Sequence, residues 1–210
     1  MSEIFTGPDG APRCQWCGGA PEFLDYHDQE WGFPVGGDIQ LFEKLCLESF
    51  QSGLSWRTIL SKRENFRAAF HHFNFRKVAR FSEKDIENLL QNAGIVRHQG
   101  KIRATVNNAK CALELVEEAG SLAVFFWRYA PDPSPDFKPQ TASTSDQSVA
   151  LSKELKKRGW RFVGPTTVYA FMQAAGLVND HAFDCSIRAK TDEARKKFNL
   201  PQTLQRPPVA

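Results

Sequence analysis

Apolar residues recur at helical spacing over most of the chain, and no stretch sustains the period-two alternation of a half-buried strand. That pattern predicts an all-α fold. Asp38 is placed to cap a helix running to about Gln51, with Leu41, Phe42, Leu45, Cys46 and Phe50 on its apolar face. Ser82 is placed to cap another, with Phe81 and Ile86 at the flanking staple positions and Gly94 at its end. A longer helix carries Ile102, Val106, Ala109, Leu113 and Val116 and stops at Gly120, and Ser121 starts a short one. Four prolines and a Thr/Ser cluster make residues 130–145 a connecting loop. Ser145 caps a helix that Gly159 ends, and Pro165 stands at the first position of a helix closed by Gly176.

The 210 residues suffice for one well-cored domain. The expected divisions are an N-terminal tail over 1–12, one domain of two helical lobes over 13–190, and a C-terminal tail over 191–210, loose from 199 onward. No apolar run reaches the roughly 18 residues of a membrane span. The start, Met-Ser-Glu-Ile-Phe-Thr-Gly, has no basic or apolar region of a secretory signal. Five scattered cysteines suggest free thiols or metal ligands. A cytoplasmic protein is expected. The net charge of +3 permits nucleic-acid binding without establishing it.

Three local patterns carry chemistry. Phe162-Val163-Gly164-Pro165-Thr166 is a short turn between two helices. Gly164 permits unusual backbone geometry, and the N–H groups of Thr166, Thr167 and Val168 open a helix, where a phosphate oxygen fits. Lys153, Lys156, Lys157, Arg158 and Arg161 precede it with positive charge. A plain helical hairpin with a solvated basic face is the other reading of this stretch. Asp180 can cap a helix starting at His181, which puts His181 and Cys185 on one face of one turn. With Cys14 and His27 they make a Cys₂His₂ set for a structural metal with no open position. By spacing alone Cys17 serves as well as His27, and unligated core residues are a third possibility. Finally, Tyr26, Trp31 and Trp56 flank Glu48, which lies within about 60° of the Leu41/Leu45 stripe. Aromatic faces with one buried carboxylate suit a flat cationic or proton-donating ligand. The alternative is an aromatic core with Glu48 at a solvated edge.

The order and length of these motifs resemble the DNA-3-methyladenine glycosylase I family. The matching runs are Arg13-Cys14-x-Trp16, Tyr26-His27-Asp28-x-Glu30-Trp31-Gly32, Leu47-Glu48-x-x-Gln51-x-Gly53-Leu54-Ser55-Trp56, Asn92-Ala93-Gly94-Ile95-x-Arg97-His98, Leu155-Lys156-Lys157-Arg158-Gly159-x-x-Phe162-Val163-Gly164, and Gly176-Leu177-Val178-Asn179-Asp180-His181. The resemblance spans roughly residues 13–185. It implies a helix–hairpin–helix glycosylase fold that acts on double-stranded DNA as a monomer. It implies one zinc on Cys14, His27, His181 and Cys185, which sets Cys17 aside. It implies a base pocket of Tyr26, Trp31, Glu48 and Trp56 and a DNA-binding hairpin over Phe162–Thr166. A further pocket aromatic, typically Tyr in the family, is Phe23 here, so the ring is kept and the hydroxyl lost. Helix–hairpin–helix glycosylases usually carry a catalytic Asp, which this family lacks at the usual place. N3-methylation makes adenine a cationic leaving group, so Glu48 is assigned to catalysis through base recognition, with hydrolysis and no lyase step. A non-catalytic damage sensor and a zinc hydrolase are the alternatives. The intact Trp31/Glu48/Trp56 set weighs against the first, and a closed four-ligand site against the second.

Overall fold

The computed structural model describes residues 4–132, 134 and 136–199. A short antiparallel hairpin opens the chain, with β1 (Ile4–Thr6) on β2 (Pro12–Cys14) and Ile4 opposite Cys14. Helices follow: α1 (Glu22–Gln29), α2 (Asp38–Gln51), α3 (Trp56–Ser61), α4 (Arg63–Ala69), α5 (Phe75–Val78), α6 (Glu83–Gln91), α7 (Gln99–Ala119), α8 (Leu122–Trp127), α9 (Asp146–Lys157), α10 (Pro165–Ala174) and α11 (Arg188–Lys197).

α2 is the centre. Between Leu41 and Phe50 only Lys44 escapes full burial, because α3, α7, α8 and α10 pack around the helix. A helix that is apolar on several faces belongs inside. Each of Leu41, Phe42, Leu45 and Phe50, all fully buried, contributes roughly 1.5–3 kcal/mol relative to exposure. A second, smaller apolar cluster joins the two ends of the chain through Cys14, Tyr26, Trp31, Ala174, Cys185 and Ile187. Trp56 packs against both clusters, so the seam between them lies where α2, α1 and α3 converge.

Local rules set most boundaries. Ser82 and Asp85 exchange hydrogen bonds as a capping box at the start of α6. Ser121 accepts from the Val124 N–H and Ser145 from the Ser148 N–H. Gly120, Gly159 and Gly176 take φ of +85°, +81° and +76° just past their helices, a conformation that glycine adopts without a Cβ penalty.

Four expectations need correction. The cap position of α2 is Gly37. Asp38 lies in the first turn, and its carboxylate instead accepts from the Ala123 N–H at 3.1 Å, serving α8. Asn92, not Gly94, ends α6. No helix starts at His181, because the Asp180 carboxylate is taken by Gln140 N–H and the Gln173 side chain. The His181 N–H instead donates to Asn179 Oδ1. The expected tails are also partly ordered: residues 4–6 form a strand, and residues 191–197 belong to α11. Thr191 is fully buried and Phe198 packs on Trp127 with ring centroids 4.7 Å apart. Beyond residue 199, the expected loose tail lies outside the described residues.

Candidate functional site

At the seam between the two clusters lies a cavity of about 480 Å³ walled by Trp16, Phe23, Tyr26, Trp31, Glu48 and Trp56, with Gln51, Ala170 and Gln173 also contributing. That size is within the range of small-ligand pockets. The structure therefore brings together all five residues expected at a base pocket. Tyr26 and Trp56 lie 5.1 Å apart with ring planes 44° from each other. Trp16 bridges the other wall, edge-on to Phe23 at 5.8 Å and to Trp31 at 5.1 Å. Trp16, Gln51 and Gln173 were not singled out as pocket residues from the sequence. Trp16 stood in the Arg13-Cys14-x-Trp16 run, the one signal that could have found it.

Glu48 is 6% exposed and has no hydrogen bond or ion pair to a protein group among the described residues. α2 carries it into the cavity between the buried Leu45 and Phe50. Burial pushes its carboxyl up to about 8, with Lys44 pulling the other way. The Tyr26 phenol is pushed up by burial and then by Glu48, so it stays a neutral hydrogen-bonding group. The Trp56 Nε1 donor is buried without a partner. A partnerless buried carboxylate and a partnerless buried N–H in one aromatic cavity leave polar capacity for a bound planar ligand.

Behind Trp31 the four candidate metal ligands meet. The ligand atoms of Cys14, His27, His181 and Cys185 all lie within 4.8 Å of one another, and all four residues are buried. His27 Nε2 and His181 Nδ1 are 3.2 Å apart. Cys185 Sγ is 3.5 Å from His27 Nε2, and Cys14 Sγ is 3.6 Å from His181 Nδ1. The opposite ring nitrogens are held: His27 Nδ1 pairs with Asp28 Oδ1 at 2.7 Å, and His181 Nε2 with the Trp31 carbonyl at 3.0 Å. Such outer contacts orient the metal-facing nitrogens. Burial alone would raise the Asp28 carboxyl, but hydrogen bonds from Arg13 and His27 hold it below its ordinary value. The cluster could hold a metal ion. Cys17 is outside it, its thiol pushed up to about 11 by burial.

The hairpin between α9 and α10 is tied down from three sides. Ser49 Oγ shares its hydrogen between the Phe162 carbonyl at 3.0 Å and the Leu45 carbonyl at 2.8 Å, Ser152 Oγ donates to the Val163 carbonyl at 2.6 Å, and Asn108 bonds both the N–H and the carbonyl of Arg161. Neither Asn108 nor Ser152 stood out in the sequence, since each lies within an amphipathic helix. The unusual backbone is at Phe162, with φ +56°, and not at Gly164, whose φ of −63° any residue adopts. A Cβ at Gly164 would meet nothing within 4 Å. Neither the backbone nor the packing therefore requires glycine at this position. Pro165 is the first residue of α10. No protein group accepts from the Thr166 and Thr167 N–H groups among the described residues, whereas Val168 N–H donates to Gly164 at 2.9 Å and is not free. Lys153, Lys156, Lys157 and Arg161 are exposed, but Arg158 is bound to Glu118 and Glu154 and is not available to a partner.

Comparison with known proteins places this geometry. The family described as methyladenine glycosylase matches residues 16–189. DNA-3-methyladenine glycosylase 1 of Escherichia coli K12 is 47% identical over 177 residues, covering 82% of this chain and 95% of that protein. The Haemophilus influenzae DNA-3-methyladenine glycosylase is 46% identical, covering 82% and 96%. A structure that addresses 3-methyladenine recognition by 3-methyladenine DNA glycosylase I of Staphylococcus aureus superimposes with a TM-score of 0.76 at 39% identity, over 80% of this chain and 92% of that one. The chain belongs to the methyladenine glycosylase family.

Proposed function

We propose that this protein is a monofunctional DNA base excision repair glycosylase that hydrolyses the N-glycosidic bond of 3-methyladenine in alkylated double-stranded DNA. The observation that carries the reading is Glu48, a buried carboxylate with no protein partner inside an aromatic cavity. The base must leave the duplex to reach it, at a cost of a few kcal/mol. In the cavity, Tyr26 and Trp56 border the base, while Trp31, Trp16 and Phe23 complete the walls. Glu48 accepts hydrogen bonds from the amino edge, strengthened while the base carries charge. Because the methylated base departs neutral, no acid is required. No lysine lines the aromatic cavity among the described residues, which supports hydrolysis without a Schiff base.

The hairpin Phe162-Val163-Gly164-Pro165-Thr166 would receive a phosphate. The support is the open space at Gly164 and the two free N–H groups beyond it. The four-residue cluster fits zinc. Tetrahedral zinc, with bonds of about 2.0 Å to nitrogen and 2.3 Å to sulfur, separates its ligand nitrogens by about 3.3 Å and nitrogen from sulfur by about 3.5 Å. The spacings here are 3.2 Å and 3.5–3.6 Å. When bound, the ion would supply a cross-link between the N- and C-terminal segments rather than reaction chemistry. The protein works as a monomer in the cytoplasm, where its DNA substrate is. Incubating it with methylated duplex DNA and separating the released bases by chromatography tests the reading. Release of 3-methyladenine is expected, and release of no methylated base would overturn it.

A further inference from the structure

A second cavity, of about 420 Å³, lies on the other side of the Tyr26/Glu48/Trp56 wall and is lined by charged groups. Its cations and anions pair off unequally. Arg63 holds Glu30 at 2.7 Å, and Arg67 holds Glu43 at 2.7 Å. Lys44 has only a loose contact, 3.8 Å to the already occupied Glu30, and its Nζ stands 5.8 Å from the centre of the Tyr26 ring. Glu48 has no partner. Once the close pairs are formed, one cation and one anion are left. They are four residues apart on α2, hence neighbours on the same helical face. The other groups around them are Tyr26 and Gln29 of α1, Trp56 of α3 and Gln40 of α2, none of which carries a charge.

We propose that Lys44 is a positioning residue for base recognition, supplying the counter-charge of Glu48 from behind the pocket and so setting the pH below which the pocket loses its base. This rests on the assignment of Glu48 to recognition. No direct ion pair joins the two, so Lys44 leaves the Glu48 oxygens free for the base. A carboxylate locked to an arginine, as Glu43 is, would have to break that pair to bind anything. Burial disfavours the charged form of each group. Their mutual attraction in a site sheltered from water opposes that cost. A neutral residue at position 44 would leave Glu48 to hold its proton to higher pH, and a protonated carboxyl is a weaker acceptor for the amino edge.

The test is the pH profile of free 3-methyladenine binding, followed by quenching of tryptophan fluorescence, in the wild type, Lys44→Met, Lys44→Arg and Glu48→Gln, each checked for folding by its thermal melt. The base's own protonation is felt through Glu48 in the wild type, Lys44→Met and Lys44→Arg alike, so the displacement among those three limbs reports on Lys44. Lys44→Met should move the acid limb upward by about one to three pH units, the range for a carboxylate that loses a nearby cation. Lys44→Arg should return it towards the wild-type position, and Glu48→Gln should lack it. Should Lys44→Met fail to fold, Lys44→Gln gives the same reading. A Lys44→Met limb coincident with wild type, or a Lys44→Arg limb coincident with Lys44→Met, overturns the role of Lys44 while leaving Glu48 in place. Coincident wild-type and Glu48→Gln profiles would instead overturn the assignment of Glu48 itself.

Discussion

Ser49 Oγ lies 3.0 Å from the carbonyl of Phe162 and 2.8 Å from that of Leu45, sharing its one hydroxyl hydrogen between them and joining the residue after Glu48 to the tip of the candidate DNA-binding hairpin. Adjacent positions on α2 therefore line the aromatic cavity and hold the hairpin, so on the proposed reading the helix would fix the distance between a held phosphate and an extruded base. The Phe162 backbone, at φ +56°, is a conformation that non-glycine residues adopt only when their surroundings hold it, and this bond is part of what does so.

Ser49→Ala should cost about 1 kcal/mol of stability, as expected for a lost buried hydrogen bond. It should weaken duplex binding while leaving free-base affinity unchanged. Denaturant melts, duplex anisotropy and tryptophan quenching on one preparation check this. A loss of base affinity as large as the loss of duplex affinity would count against the separation of the two sites.

Gly164→Asp should fold normally, since its φ is ordinary and a Cβ there meets only open space. Stability should stay within about 0.5 kcal/mol of wild type. Binding to damaged and undamaged duplexes should fall together, because a phosphate contact carries no base information. An effect confined to damaged DNA would assign the hairpin to lesion recognition instead.

Cys14→Ser or His181→Ala should lower zinc content and melting temperature together, whereas Cys17→Ser should leave the zinc in place. The His181 ring also holds the Trp31 carbonyl at 3.0 Å, so loss of zinc should loosen one wall of the base cavity and weaken 3-methyladenine binding. Metal analysis beside tryptophan quenching reads both effects. Stoichiometric zinc surviving both ligand substitutions would rule out the assignment.

Glu48 should also make the fold less stable in alkali. Burial raises its carboxyl from an ordinary 4.5 to about 8. Between those values the folded chain keeps a proton that the unfolded chain releases. Its contribution to stability is present near pH 5 and lost as the pH rises to about 8. Glu48→Gln does not titrate, so its advantage in stability over wild type should grow from pH 5 to pH 9, by at most roughly 5 kcal/mol at 1.36 kcal/mol per pH unit. Urea melts at several pH values would show this, and a gap independent of pH would contradict it.

Much of this was legible in the residues. Helix-length apolar periodicity located α2 and α7, Pro165 and Gly176 located α10, and local chemistry located helix ends where Ser and Gly act on their own neighbours, as at Ser82 for α6, Gly120 for α7 and Gly159 for α9. It failed where a polar side chain serves a distant segment. Asp38 accepts from the Ala123 N–H in the first turn of α8, and Asp180 binds Gln140 and Gln173, neither of which spacing can reveal. The site was read from motif order, which brought Tyr26, Trp31, Glu48 and Trp56 together. Asn108 and Ser152 were not: each holds the backbone of the hairpin from a helix in which its spacing marks it as an ordinary polar position, and α11 has so few apolar residues that its periodicity carries no signal.

The central claim is that Glu48 recognises the leaving base. The most direct measurement sets free 3-methyladenine affinity beside single-turnover excision for Glu48→Gln, at a pH above the wild-type acid limb. The amide keeps an acceptor oxygen and loses the charge. Both quantities should fall by about 10- to 100-fold, matching the 1.5–3 kcal/mol of a hydrogen bond to a charged group. Unchanged base affinity with excision lost by about 10⁴-fold would contradict this account and assign Glu48 to the activation of water.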